Sequence, residues 1–86
     1  MEYRLVVDSA PVRVLISLPP RLRERMLDRL ELIARSPDRY SEFQSADATG
    51  RPLEGHIFAS YAIWYWIDFP VREVRVIRIR PADQRP

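Results

Sequence analysis

Seven consecutive residues, Tyr61-Ala62-Ile63-Trp64-Tyr65-Trp66-Ile67, are uncharged and apolar or aromatic at every position. A membrane-crossing helix needs about 20 such residues, so this run is too short to span a bilayer that way. Successive side chains of a strand point to opposite faces, and here both faces are apolar. A strand of that kind needs cover on both sides, which places it at the centre of a sheet.

The rest of the chain has to supply that cover from 86 residues. At this size roughly 60–65% of the unfolded surface is buried on folding, enough for one modest core. We therefore read residues 1–86 as a single domain. With 47% hydrophobic and 30% charged residues, the composition is that of a globular domain rather than a disordered one. The chain has no cysteine, which excludes a disulfide framework and a Cys-based zinc site and suits a reducing, cytoplasmic setting. The N-terminus carries no signal-peptide pattern, and no association with a membrane is expected. Net charge is only +2, yet all fourteen basic residues are arginine and lysine is absent. A GC-rich genome accounts for the missing lysine; guanidinium forks that grip phosphate are the functional alternative, to be judged position by position.

Ahead of the central strand, Tyr3 to Val7 reads as a first strand. Asp8 or Ser9 is placed to cap a short helix with Pro11 in its first turn. That helix runs to about Leu18, with Val14, Leu15 and Leu18 on one stripe. Pro19-Pro20 ends it and opens a second, because proline is tolerated in a first turn but not in an interior. From Arg21 to Arg35 the residues Leu22, Met26, Leu30 and Ile33 recur at helical spacing, widened by Leu27 and Ala34. Ser36-Pro37 closes this helix. Its arginines alternate with Glu24, Asp28 and Glu31, so they read as a solvated face rather than a nucleic-acid stripe. Residues 38–50 are polar and irregular, anchored by Tyr40 and Phe43. Strand patterns follow at about 52–59, 61–68 and 73–80. The last is irregular: strict pleating would put Val74 and Val76 on one face and Ile77 and Ile79 on the other. A bulge at Val76-Ile77 restores all four to the core side and lines up Arg75, Arg78 and Arg80 opposite. The expected fold class is thus α+β, a helical hairpin on a small, mainly antiparallel sheet in the order β-α-α-β-β-β.

Three segments resemble the RelE/ParE superfamily of toxins from type II toxin–antitoxin pairs. These are Leu18-Pro19-Pro20 leading into the long helix that ends at Ser36-Pro37, the strand Ser60 to Asp68, and the closing strand Glu73 to Arg80. The middle one is similar to the family's Gly-Asp-Tyr-Arg strand, with Ala62 standing where the family has arginine. The polar end, Pro81 to Pro86, lacks the terminal Tyr or His of many ribonuclease members. The resemblance implies a translation inhibitor that cuts mRNA in the ribosome by promoting attack of a 2′-hydroxyl on the adjacent phosphate. That chemistry is metal-independent and needs no cofactor; it requires cations on the phosphate and groups that move protons. The implied partners are a cognate antitoxin, the ribosome and mRNA. The alternative within the fold is a DNA gyrase inhibitor or a catalytically degenerate member, and outside it a small protein-binding module.

Four residues are candidates for the chemistry. Arg78 and Arg80 match phosphate in geometry and permanent charge. His56, the sole histidine, is suited to proton transfer near neutral pH, with Glu54 two residues away to orient it or act as base. Arg51 and Arg75 extend the nucleic-acid-binding patch. The aromatic residues of the central strand invite base stacking, but half of them face the hairpin, and pattern alone leaves open which half. Two outward tryptophans would form an apolar patch better explained by a bound partner than by stacking.

Overall fold

A computed structural model describes residues 3–83. The elements are β1 (Arg4–Val7), α1 (Ser9–Ser17), α2 (Pro20–Arg35), β2 (Phe43–Ala46), β3 (Pro52–Phe58), β4 (Tyr61–Asp68) and β5 (Glu73–Pro81). The five strands form one sheet in the order β1-β5-β4-β3-β2, with β1 parallel to β5 and the other pairs antiparallel. The apolar run is a central strand, as its two-faced pattern requires.

Pro19 and Pro20 act as anticipated. Pro19 is the N-cap residue of α2 and Pro20 its first helical residue, so the missing N–H groups fall where a helix has no use for them. Met26, Leu30 and Ile33 are fully buried against the sheet, and Ala34 joins them; Leu27 instead remains exposed. At α1 the expected side-chain cap does not form. The Asp8 carboxylate accepts a hydrogen bond from Arg75 Nη1 at 2.9 Å instead.

The helices cover the face of the sheet that carries Ile63, Tyr65 and Ile67 of β4, with Tyr61 partly buried beside them. This answers the question left open by the pattern: the tyrosines and isoleucines of β4 point at the hairpin, and the tryptophans point away. Fully buried Tyr65 donates its hydroxyl to the Pro37 carbonyl at 2.6 Å, which ties the end of α2 to the sheet centre. Burial pushes the phenol well above its usual range.

The irregularity of β5 is a bulge. Trp64 pairs with Arg78 and Tyr65 with Val76, leaving Ile77 as the extra residue. The insertion resets the alternation, so that Val74 and Val76 before it and Ile79 after it are all buried, while Ile77 is half-buried. One element departs from the expected order: residues 43–46 form a fourth antiparallel strand, making it β-α-α-β-β-β-β. Phe-Gln-Ser-Ala has almost no strand signal of its own, and its conformation comes from pairing with β3, Phe43 opposite Gly55 through Ala46 opposite Pro52.

Candidate functional site

The strand register sorts the candidate residues onto two faces. On the helix-covered side, His56 stands directly opposite Ile63 and Glu54 opposite Tyr65. On the bare side, Arg80 stands opposite Ala62, Arg78 opposite Trp64 and Arg75 opposite Trp66. The sheet therefore lies between the imidazole and the arginine pair, and they do not share a site.

His56 is buried, 6% exposed, and each ring nitrogen has a partner. Nε2 lies 3.2 Å from Arg29 Nη1. A guanidinium only donates, so Nε2 is the acceptor and the ring proton belongs on Nδ1. Nδ1 in turn faces the Tyr40 carbonyl at 3.0 Å and Glu42 Oε1 at 2.6 Å. Burial lowers the imidazole pKa below its usual 6.5; Glu42 opposes the shift and Arg29 adds to it. Arg29 also lies over the Phe58 ring at 4.4 Å and the Tyr40 ring at 5.5 Å. The result is a closed joint linking α2, the loop after it and β3. Glu54, on the same face, accepts from Ser41 Oγ at 2.6 Å and Gln44 Nε2 at 3.0 Å.

Two of the four candidate arginines are engaged within the protein. Arg75 bonds Asp8 and lies 3.7 Å from Glu73, which also pairs with Arg4. The hydrogen bond to Asp8 leads the causes that raise its pKa. Arg51 closes the β2–β3 hairpin through Asp47: its Nε reaches Oδ2 at 2.8 Å and its backbone N–H reaches Oδ1 at 3.0 Å. Thr49 donates to the same carboxylate from backbone and hydroxyl, and these bonds, the hydroxyl's first, hold Asp47 well below the usual carboxylate range. Gly50, at φ +83°, supplies the left-handed residue the turn requires. The Arg51 guanidinium then rests 4.3 Å from the Trp66 ring centroid.

Arg78 and Arg80 differ from these. Both are exposed, and neither has a hydrogen-bond or ion-pair partner among the described residues. They stand two residues apart on one strand, so their Cα atoms are about 6.6 Å apart along it. At the adjoining end of the sheet is a cleft of about 560 Å³ lined by Ile57, Ser60, Tyr61, Pro81, Ala82 and Asp83. Its floor is held by the Ala82 N–H donating to the Ser60 carbonyl at 2.8 Å. The neighbouring β3–β4 turn has Ala59 and Ser60 at φ 51° and 67°, a left-handed pair without a glycine. Such backbone costs of order 1–3 kcal/mol per residue and is often kept at functional sites. Among the described residues no group of three or more His, Asp or Glu side chains converges to hold a metal ion, and no helix is long and apolar enough to cross a membrane.

The sequence reading missed this cleft and a line of aromatic contact on the bare face. The Phe43 ring lies across Gly55 to meet Trp64 edge-on, with ring centroids 4.6 Å apart. The tryptophans and Gly55 were visible as residues, but only the β2–β3–β4 register brings the three together.

Solved structures of similar architecture cover nearly the whole chain. The toxin–antitoxin complex RelBE2 from Mycobacterium tuberculosis contains a chain that superposes with a TM-score of 0.81 at 21% identity, over 96% of this chain and 95% of that one. The archaeal RelE–RelB complex from Pyrococcus horikoshii gives 0.77 at 17% identity, over 99% and 100%. This chain has the RelE fold. A mutant of the Escherichia coli toxin RelE in the free state gives 0.72 at 21% identity, over 96% of this chain and 86% of that one. No protein-family model and no curated protein matches the sequence. Among the described residues, the sheet cations without a partner are Arg78 and Arg80, and Ala62 stands directly across from Arg80.

Proposed function

We propose that this chain is the toxin of a type II toxin–antitoxin pair and inhibits translation by ribosome-dependent cleavage of mRNA. The observation that carries the reading is the exposed, unpaired Arg78–Arg80 pair on the helix-free face of a RelE fold. In the reaction, the 2′-oxygen of a nucleotide forms a bond to its own 3′-phosphate, and the bond from phosphorus to the next 5′-oxygen breaks. A 2′,3′-cyclic phosphate and a 5′-hydroxyl result, and the 2′-hydroxyl proton is balanced by the one gained at the leaving oxygen. Negative charge builds on the phosphate in the transition state, and two permanently charged forks beside it lower that barrier. His56 and Glu54 do not face this phosphate. Their role in this reading is to brace the β2–β3 corner, and the carboxylate nearest the cleft is Asp83. Two structural neighbours were solved as complexes of a RelE toxin with its antitoxin, which supports a small antitoxin as the partner here.

The test is to add the purified protein to a translating bacterial extract and map mRNA 5′ ends, with Arg80→Ala in parallel. Ribosome-dependent cuts that disappear in the variant are the expected result. Intact mRNA at full translation overturns the reading. A second reading, a fold member that cleaves nothing, is favoured by Ala62 at the position facing Arg80. It predicts intact mRNA, with inhibition of gyrase supercoiling or a purely binding role in place of cleavage.

A further inference from the structure

The two tryptophans of β4 share the bare face but not their surroundings. Trp66 lies under the Arg51 guanidinium, itself tied to Asp47, so one side of its ring is occupied. Trp64 has no cation over it among the described residues. Its ring is propped edge-on by Phe43, at an interplanar angle of 85°, which is possible because Gly55 between them has no side chain. Directly across β5 from Trp64 is Arg78; two residues along, Ala62 leaves low ground beside Arg80. A half-buried indole held against a perpendicular Phe43 ring thus stands beside two cations that have no partner among the described residues, with a small residue next to it. The cations are spaced at about 6.6 Å along the strand, comparable with the step between successive phosphates of an extended nucleic-acid chain.

We infer that Trp64 stacks an unpaired base of an RNA strand whose neighbouring phosphates lie on Arg78 and Arg80. This rests on the RNA reading of the same face given above and adds a contact to it. Stacking needs the flat face of a base, which a duplex hides between its neighbours, so the ligand is single-stranded. Every base has such a face, so the contact fixes where a nucleotide lies with little regard to its identity. The site combines a charge that holds the backbone with an aromatic platform that holds the base. The two outward tryptophans do not form the single apolar patch that would favour a protein partner, because the Arg51 guanidinium lies over Trp66; an acidic protein segment would use the charge but has no need of the one indole left open.

The experiment follows Trp64 emission in a Trp66→Phe variant during titration with an eight-nucleotide single-stranded RNA, its duplex, and an abasic strand of equal length. Quenching by the single strand, weaker for duplex and abasic strands, is expected. In otherwise unchanged protein, Trp64→Ala should weaken single-strand binding roughly ten- to a hundredfold. Trp64→Tyr should restore most of it, which a purely structural role would not do, and thermal melts report whether each variant folds. If the RNA binds but Trp64→Ala and the abasic strand make no difference, the stacking inference is overturned and the RNA reading stands. If the unchanged protein binds no RNA, even with ribosomes present, both fall. If a poly-glutamate peptide binds as tightly as RNA and is indifferent to Trp64→Ala, the face belongs to an acidic protein and the inference is wrong.

Discussion

On the helix-covered face of the sheet, His56, Arg29, Glu42 and the Tyr40 carbonyl satisfy one another within a few ångströms. On the bare face, 6.6 Å or so along one strand, Arg78 and Arg80 are exposed without a partner among the described residues. Both regions carry cations close to aromatic rings, and the difference lies in where each charge is spent. The covered face uses Arg29 to close a joint, with Nη1 on the His56 ring and the guanidinium over Phe58 and Tyr40. The bare face spends Arg75 on Asp8 and Arg51 on Asp47, and leaves exposed the pair that its own strand cannot neutralise. Charges left unpaired at that position contribute little to folding, which makes them available to a ligand.

The sharpest way to break this division is to remove the free pair. Arg78→Ala with Arg80→Ala should reduce the proposed RNA cutting about a hundredfold or more, while the folding free energy stays within about 0.5 kcal/mol of the parent. Mapped mRNA ends and a urea melt measure the two halves; a variant that cuts normally, or one that unfolds, dissolves the contrast. The covered face should behave in the opposite way. Leu30 is fully buried beneath the hairpin, and Leu30→Ala is expected to cost about 2–5 kcal/mol in the same melt. The fraction that remains folded should bind RNA with unchanged affinity.

That division was only partly legible in the sequence. The hairpin was readable because Pro19-Pro20 can be tolerated only where one helix stops and another starts, and because the stripe from Leu22 to Ile33 has no strand interpretation. The bulge was readable because Val74, Val76, Ile77 and Ile79 cannot all be buried on a regular strand without hiding arginines. Two things were not. Residues 43–46 carry no strand pattern, and they become β2 only because β3 offers an edge to pair with. The placement of His56 relative to Arg80 depends on which side of β4 faces the hairpin and on how β3 and β5 are aligned to it. Alternation shows that His56 and Glu54 share a face, but it does not relate that face to the one carried by another strand.

Gly55 joins the two faces of the comparison, since it is the strand position that lets the bare face assemble its own aromatic layer. A Cβ there would overlap the Phe43 ring. Gly55→Ala should therefore destabilise by about 1–3 kcal/mol, an overpacking cost. Combining it with Phe43→Ala tests the cause. If the ring is what the methyl meets, the two changes are not additive and the double variant loses less than the sum. Additive losses would mean that the glycine serves the backbone and not the ring.

The smallest effect expected is the pH response of the covered joint. His56 has a folded-state pKa below its ordinary 6.5, with burial the main cause. The unfolded chain therefore binds the proton more readily than the folded one, and stability rises with pH wherever that difference applies. The contribution is fully present above pH 6.5 and declines as pH falls from there towards the folded pKa, because the second proton would have to sit on Nε2, against the Arg29 guanidinium. Glu42, 2.6 Å from Nδ1, limits the loss by favouring the charged ring. Urea melts at a series of pH values below 7 should show this slope in the parent, and His56→Gln should flatten it at some cost in absolute stability. The proposed RNA cutting should keep its pH dependence in folded protein of that variant, because the joint and the arginine pair are on opposite faces. A shift in the cutting profile with His56→Gln would return the imidazole to the reaction and erase the separation between the faces.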